Sequence, residues 1–245
     1  MKKILFALVA AATLSGAASA QVIDPYANML AFFDFNNVPS ASSPNTVTYC
    51  APCINAVTDL SLNGISQSLH AFGGPDGSKF RCFAGWDKNY DYSFIRPDLS
   101  QAVDTLAFDM IVDPQATALI SSLSLDWKRP SVNSVNSIQA SIFWEDSAGN
   151  VQYRTSGAIS LANIGSWNHL DMQFNSGSSA FPSNPLGAGE TFHVELYAWG
   201  AEGSTLYLDN ISVNGQCAPI PEPAGALLLG AAGMMMLLRR RHRQR

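Results

Sequence analysis

The sequence predicts an all-β protein: a jelly-roll β-sandwich of about ten strands. Three observations point there. Short segments of alternating apolar and polar residues follow one another through residues 21–217, and none shows the 3.6-residue period of an amphipathic helix. Turn-forming clusters such as Gly73-Gly74-Pro75-Asp76-Gly77 separate them. The composition is rich in Ser, Asn, Gly, Thr and aromatic residues and poor in Lys and Glu, which favours strands and turns over helices.

The strands are expected in this order. Asn28 to Phe35 is the first, followed by a Ser/Pro/Asn loop and a short edge strand from Thr46 to Tyr49. Asp59 to Ser68 has no clear period. Lys79 to Phe83 and Tyr92 to Arg96 read as strands around an aromatic loop. Over Val103 to Val112, the set Leu106, Phe108, Met110 and Val112 is the core face. Ile120 to Trp127 places Leu123, Leu125 and Trp127 together. Ile138 to Trp144 and Val151 to Thr155 flank a turn of hairpin length. Trp167 to Phe174 precedes a long Gly/Ser/Pro loop, and Phe192 to Trp199 forms a hairpin with Thr205 to Val213. In a jelly roll, the first and last of these strands pair.

Both ends of the chain fall outside this pattern. Met1-Lys2-Lys3, the apolar Ile4 to Leu14 and Ala18-Ser19-Ala20 are the three parts of a secretory signal peptide over residues 1–20, with Gln21 as the mature N-terminus. The expected partners are the Sec machinery and signal peptidase. At the other end, residues 218–245 contain Pro221-Glu222-Pro223, an uncharged apolar run over 224–238 and a basic tail, 239–245, that opens with Arg239, Arg240 and Arg241. The prolines stop any preceding helix. The 15-residue run would rise ~22 Å as a helix, short of the ~20 residues that span a bilayer core, with arginine snorkelling adding reach. The arginines would stay cytoplasmic.

This three-part end resembles the PEP-CTERM sorting signal of Gram-negative bacteria. The resemblance implies recognition by an exosortase near Pro221-Glu222-Pro223. It also implies an inner-membrane-anchored intermediate held transiently by the C-terminal helix, release or transfer to the cell surface or extracellular space, and association with exopolysaccharide and biofilm matrix.

Without the two ends, charge and cysteine count take on meaning. The whole chain carries −5, but residues 21–220 hold 7 Lys and Arg against 18 Asp and Glu, a net charge of −11. So acidic a body disfavours nucleic acid and anionic lipid as partners. Cys50, Cys53, Cys82 and Cys217 are even in number in an oxidising compartment, so two disulfides are expected in one of three connectivities, with Cys217 tying the last strand toward the N-terminal region. Cys50-Ala51-Pro52-Cys53 has the spacing of a redox or zinc motif but lacks the following helix and the second ligand pair.

Candidate chemistry is sparse. Leu206-Tyr207-Leu208-Asp209-Asn210-Ile211-Ser212-Val213 resembles the closing strand of galactose-binding-like and carbohydrate-binding jelly rolls. That resemblance implies that Asp209 helps hold a structural calcium with a residue near the first strand; Asp34 is the candidate partner. Alternation puts Asp209 on one face with Tyr207, Ile211 and Val213. No other cofactor is required.

Phe80 to Phe94 is the densest aromatic stretch, and Trp86 and Tyr90 beside its polar turn are the candidate glycan-binding residues. His193, Glu195 and Tyr197 share a strand face without a recognised catalytic motif, and Glu145-Asp146 point to opposite sides. The reading is a non-enzymatic exported surface or matrix protein. A carbohydrate-binding module is the first alternative, and a secreted glycan-active hydrolase using Glu195 the second.

Overall fold

The computed structural model describes residues 28–40, 42–86, 104–145, 149–174, 176–177 and 189–220. The expected signal peptide, the strand at Tyr92 to Arg96, Tyr90 and the sorting residues from Pro221 onward lie outside them. The described residues form fifteen strands and no helix. In chain order these are β1 (Met29–Phe33), β2 (Tyr49–Cys50), β3 (Ile54–Val57), β4 (Ser61–Asn63), β5 (Ser66–His70), β6 (Phe80–Trp86), β7 (Thr105–Val112) and β8 (Ala116–Lys128). The remainder are β9 (Ser137–Glu145), β10 (Val151–Thr155), β11 (Ile159–Ser160), β12 (Asn168–Gln173), β13 (Ser176–Gly177), β14 (Thr191–Trp199) and β15 (Ser204–Pro219).

Two antiparallel sheets make the jelly-roll sandwich. The smaller runs β12-β8-β15-β1-β2, with β6 also on β15 and β5 on β6. The larger runs β13-β10-β9-β14-β7-β3, with β11 on β9 and β4 on β7. First and last strands pair as expected, Phe33 opposite Ile211. The ambiguous stretch after Asp59 divides into β4 and β5, one in each sheet, which is why it shows no single period.

The core lies between the sheets. Leu206, Leu208, Ile211, Val213, Leu123 and Leu125 from the smaller sheet face Leu106, Phe108, Met110, Phe192, Val194 and Ile142 from the larger, all buried. Phe33 meets Phe108 edge-on across the gap, ring centroids 4.8 Å apart. Each such side chain contributes roughly 1.5–3 kcal/mol through burial. Arg81 joins this interior: it is fully buried, donates to the Ser43 carbonyl at 3.0 Å and sits 6.0 Å over the Phe35 ring. Burial lowers its pKa from the ordinary arginine value.

A single disulfide joins Cys53, just before β3 of the larger sheet, to Cys217 on β15 of the smaller, Cα atoms 5.7 Å apart. The second expected disulfide is absent: Cys50 and Cys82 are free thiols. Register explains it. Cys50 lies opposite Ala31, which pairs with Val213, whereas Cys82 pairs with Tyr207. Six residues of β15 separate those positions, roughly 20 Å at ~3.3 Å per residue, far beyond the ~7 Å a disulfide allows between Cα atoms.

Candidate functional site

The larger sheet carries an unusual outer face. On β14, Phe192, Val194, Leu196 and Ala198 point into the core, so His193, Glu195, Tyr197 and Trp199 point out. β14 is the middle strand, paired without register shifts to β7 and β9, so its outward residues line up in rows across the sheet. The first row reads Asp109, His193, Phe143 and Tyr153. The second reads Ala107, Glu195, Ser141 and Thr155, and the third Thr105, Tyr197 and Gln139.

The middle row is made of small side chains around one carboxylate, and the flanking rows are larger. The register thus builds a trough across the strands, floored at Glu195 and walled about 7 Å to either side. On one wall, Phe143 lies 6.4 Å from both the Tyr153 and His193 rings, tilted at 41° and 47°. On the other, Gln139 Nε2 donates to Thr155 Oγ1, and Tyr197 Oη donates to Glu195 Oε2.

Glu195 is 3% exposed, yet its second oxygen is also engaged, by His193 Nε2 at 3.0 Å. The imidazole's other nitrogen meets Asp109 Oδ1 at 2.6 Å. Burial pushes the His193 pKa down, but hydrogen bonds to Glu195 and then to Asp109, reinforced by both charges, outweigh it and raise the value above ordinary histidine. An imidazolium between two carboxylates is the pairing that a sunken acid requires. Side-chain exposure climbs from 4% at Glu195 through 26% at His193 to 42% at Asp109, so the chain of charge leads from the trough floor to solvent. These groups can bond hydroxyls from fixed positions; Phe143 and Tyr197 are themselves buried, so the ring surface left for stacking is that of the half-buried His193 and Tyr153.

Of the two candidate glycan-binding residues, Tyr90 lies outside the described residues and Trp86 is not in the trough. Trp86 is fully buried, with its indole Nε1 donating to the Phe83 carbonyl at 3.2 Å. Alternation along β6 is broken at Gly85 (φ 100°), where the register against β15 shifts, so Trp86 turns to the core side with Phe83 and cannot offer a ring to a ligand. His193, Glu195 and Tyr197 were visible as a shared face. Asp109, Gln139, Phe143, Tyr153 and Thr155 were not, because they come from β7, β9 and β10, and their apposition depends on sheet order.

Asp209 is the most deeply buried carboxylate among the described residues. It does not share a face with Ile211 and Val213. A bulge at Asn210 (φ 50°) shifts the register between Asp209 and Ser212, returning Ile211 and Val213 to the core while Asp209 stays with Tyr207 on the outer face. It is nonetheless fully buried, because the turn from Gly73 to Ser78 closes over it. Ser78 Oγ donates to Asp209 Oδ2 at 3.2 Å and the Asn210 N–H to Oδ1 at 2.9 Å. Gly74 passes so close that a Cβ there would lie 2.9 Å from Oδ2.

Among the described residues no Lys or Arg pairs with Asp209. Burial drives its pKa up to about 7, the Asn210 and Ser78 hydrogen bonds pull against that, and the charges of Asp76 and Asp34 add to the rise. Asp34 itself is turned to its own loop, accepting from the Asn36 N–H. The described residues hold no group of three His, Cys, Asp or Glu side chains placed to bind a metal. What fits a hard cation here is a buried, cation-free carboxylate in a field of two more, beside hydroxyl and backbone oxygens of the turn.

No family model matches this chain, and no curated protein matches it in sequence. Solved structures that resemble it include the CBM22-1 xylan-binding domain of Paenibacillus barcinonensis Xyn10C, at 12% identity and TM-score 0.46, covering 77% of this chain and 95% of that one. The C-terminal family 22 carbohydrate-binding module of Clostridium thermocellum Xyn10B gives 12% identity and TM-score 0.42 over 78% and 96%. The family 11 carbohydrate-binding module of the Clostridium thermocellum cellulase Lic26A-Cel5E gives 14% and 0.36 over 66% and 91%.

Proposed function

We propose that this body is a non-catalytic carbohydrate-binding module whose ligand lies in the trough over Glu195. The observation that carries the reading is the row pattern: a fixed carboxylate and amide between walls that include aromatic rings, aligned across at least four strands. Four strands at ~4.8 Å spacing give a trough of roughly 15 Å, a length suited to a chain of sugars more than to a single one. The net charge of −11 on residues 21–220 favours a neutral polysaccharide over an acidic one. The similar structures named above are described as xylan-binding or carbohydrate-binding.

The test is retardation in native gels cast with soluble neutral polysaccharides, using residues 21–245 in a mild non-ionic detergent. Ending the chain at 217 would cut into β15. Glu195→Gln keeps the shape and removes the charge, and is expected to weaken binding about tenfold, ~1.4 kcal/mol. Absence of retardation on every polysaccharide would return the body to a purely architectural matrix role. Release of reducing sugar by the wild type, lost in Glu195→Gln, would make it a hydrolase.

Two further parts of the reading concern the whole chain. The body is exported by its N-terminal signal and sorted by an exosortase at Pro221-Glu222-Pro223, which places a sugar-binding domain at the surface or in an exopolysaccharide matrix. Deleting 224–238 with its basic tail should leave folding intact and change where the protein accumulates; unchanged localisation would refute sorting. Calcium is held at Asp209 with oxygens of the Gly73 to Ser78 turn. Its role is to neutralise the buried carboxylate and fix that turn.

A further inference from the structure

We propose that the outer face of the smaller sheet is a second saccharide-binding surface, built on Phe72, Trp167 and Tyr207 and taking a neutral pyranose chain. It extends the carbohydrate reading but uses none of the trough's residues.

Phe80 is the buried floor of this surface, 5% exposed. Three rings surround it: His70 stacked at 4.7 Å and 6°, Tyr207 at 5.0 Å, and Trp167 edge-on at 5.2 Å. Tyr207 and Trp167 are only half-buried, so each keeps ring surface in solvent. Trp167 is oriented by its indole N–H, which donates to the Gly73 carbonyl at 2.6 Å. That bond ties it to the residue that follows Phe72, which is 84% exposed. A half-exposed indole fixed on a continuous aromatic base of Phe80, Tyr207 and His70 is a preorganised stacking surface, and the exposed Phe72 at the turn that holds it can add a ring to a ligand seated there.

The polar groups alongside are of both signs. Lys128 lies opposite Tyr207. Asp126, two residues back along β8, accepts from Asn210 Nδ2 at 2.8 Å and meets His169 Nδ1 at 2.8 Å. Mixed charge beside aromatic rings suits a neutral hydroxylated ligand better than a polyanion or polycation. The two outer faces point in opposite directions from a sandwich whose sheets pack ~10 Å apart, so one short oligosaccharide cannot cover both.

The experiment is the same gel retardation, read on residues 21–245 in detergent with Phe72→Ala, Trp167→Ala, Glu195→Gln and the Glu195→Gln/Phe72→Ala pair. Phe72→Ala should weaken binding about fivefold at this face. Glu195→Gln should keep part of the retardation, and the pair should lose nearly all of it. Trp167 also pins the Gly73 turn, so its variant counts only if its melting temperature holds; the exposed Phe72 gives a readout free of that. Wild-type retardation in Phe72→Ala, with complete loss in Glu195→Gln alone, would overturn this surface and leave the trough standing. Unchanged retardation in Glu195→Gln with loss in Phe72→Ala would sink the trough and keep this surface. A Phe72→Ala effect confined to sedimentation, with monomer replacing dimer and no change in retardation, would show a self-association face instead.

Discussion

Glu195 and Asp209 are both buried carboxylates on outward positions of a central strand, and their surroundings answer them differently. Glu195 sits on β14, whose register runs unbroken against both neighbours; alternation along the strand supplies His193 and Tyr197, and cross-strand alignment supplies Asp109. Asp209 sits where β15 bulges, and the turn that covers it brings a hydroxyl and one more acid, Asp76, with Asp34 also near, and no cationic side chain. Regular pairing makes an extended, self-neutralised site. A bulge makes a point site whose charge must be balanced by an ion or a proton.

The largest expected effect tests whether the two regions depend on each other. Cys53–Cys217 joins the sheet of one to the strand of the other across a sequence separation of 164. Cys217→Ser should cost roughly 2–5 kcal/mol in denaturant unfolding. A single cooperative transition would show the two sheets still coupled, and two transitions would separate them. Next, millimolar calcium should raise the melting temperature of the wild type, on the order of 3 kcal/mol of stabilisation at a hundredfold excess over Kd. Asp209→Asn should abolish that rise, whereas Glu195→Gln should leave it intact. A calcium response that survives in Asp209→Asn would break the contrast.

The smallest effect is the pH dependence of the self-neutralised site. The folded His193 pKa is raised, so the stability gained from its imidazolium is fully present below the ordinary histidine value of about 6.5 and is lost as pH rises through the folded value. Because the group is partly exposed, the loss should be under about 1 kcal/mol. Asp209, raised to about 7, titrates in the same window, so the comparison is made in Asp209→Asn, where adding His193→Gln should flatten that part of the stability profile. A stability that rises over the same window would assign the wrong sign to the Glu195–His193–Asp109 chain.

Much of the fold could be read from period-two patterning. Leu106, Phe108, Met110 and Val112 are core, as are Leu123, Leu125 and Trp127, and the end strands pair. The failures cluster at bulges. Gly85 and Asn210 each insert one residue, and every inference about which face lies beyond them inverts; that moved Trp86 inward and parted Asp209 from Ile211. The trough was half legible, because His193, Glu195 and Tyr197 are local to one strand. Its other half needed β14 to lie between β7 and β9, which no local pattern encodes. The free Cys50 and Cys82 were missed for the same reason: an even count says nothing of register.

The central strand of the smaller sheet is also the last strand of the described body. β15 contacts β1, β6 and β8, and none of these has its main partner until residues 204–219 have been made. A chain synthesised from its N-terminus therefore has only β2 beside β1, only β5 beside β6 and only β12 beside β8 for most of its production, and its cysteines wait as well. During that interval Cys53 has Cys50 three residues away, while Cys217 does not yet exist. The native bond is the late one, so oxidation before Cys217 emerges would leave Cys53 only Cys50 or Cys82 to pair with, and reaching the stapled sandwich would then require thiol exchange.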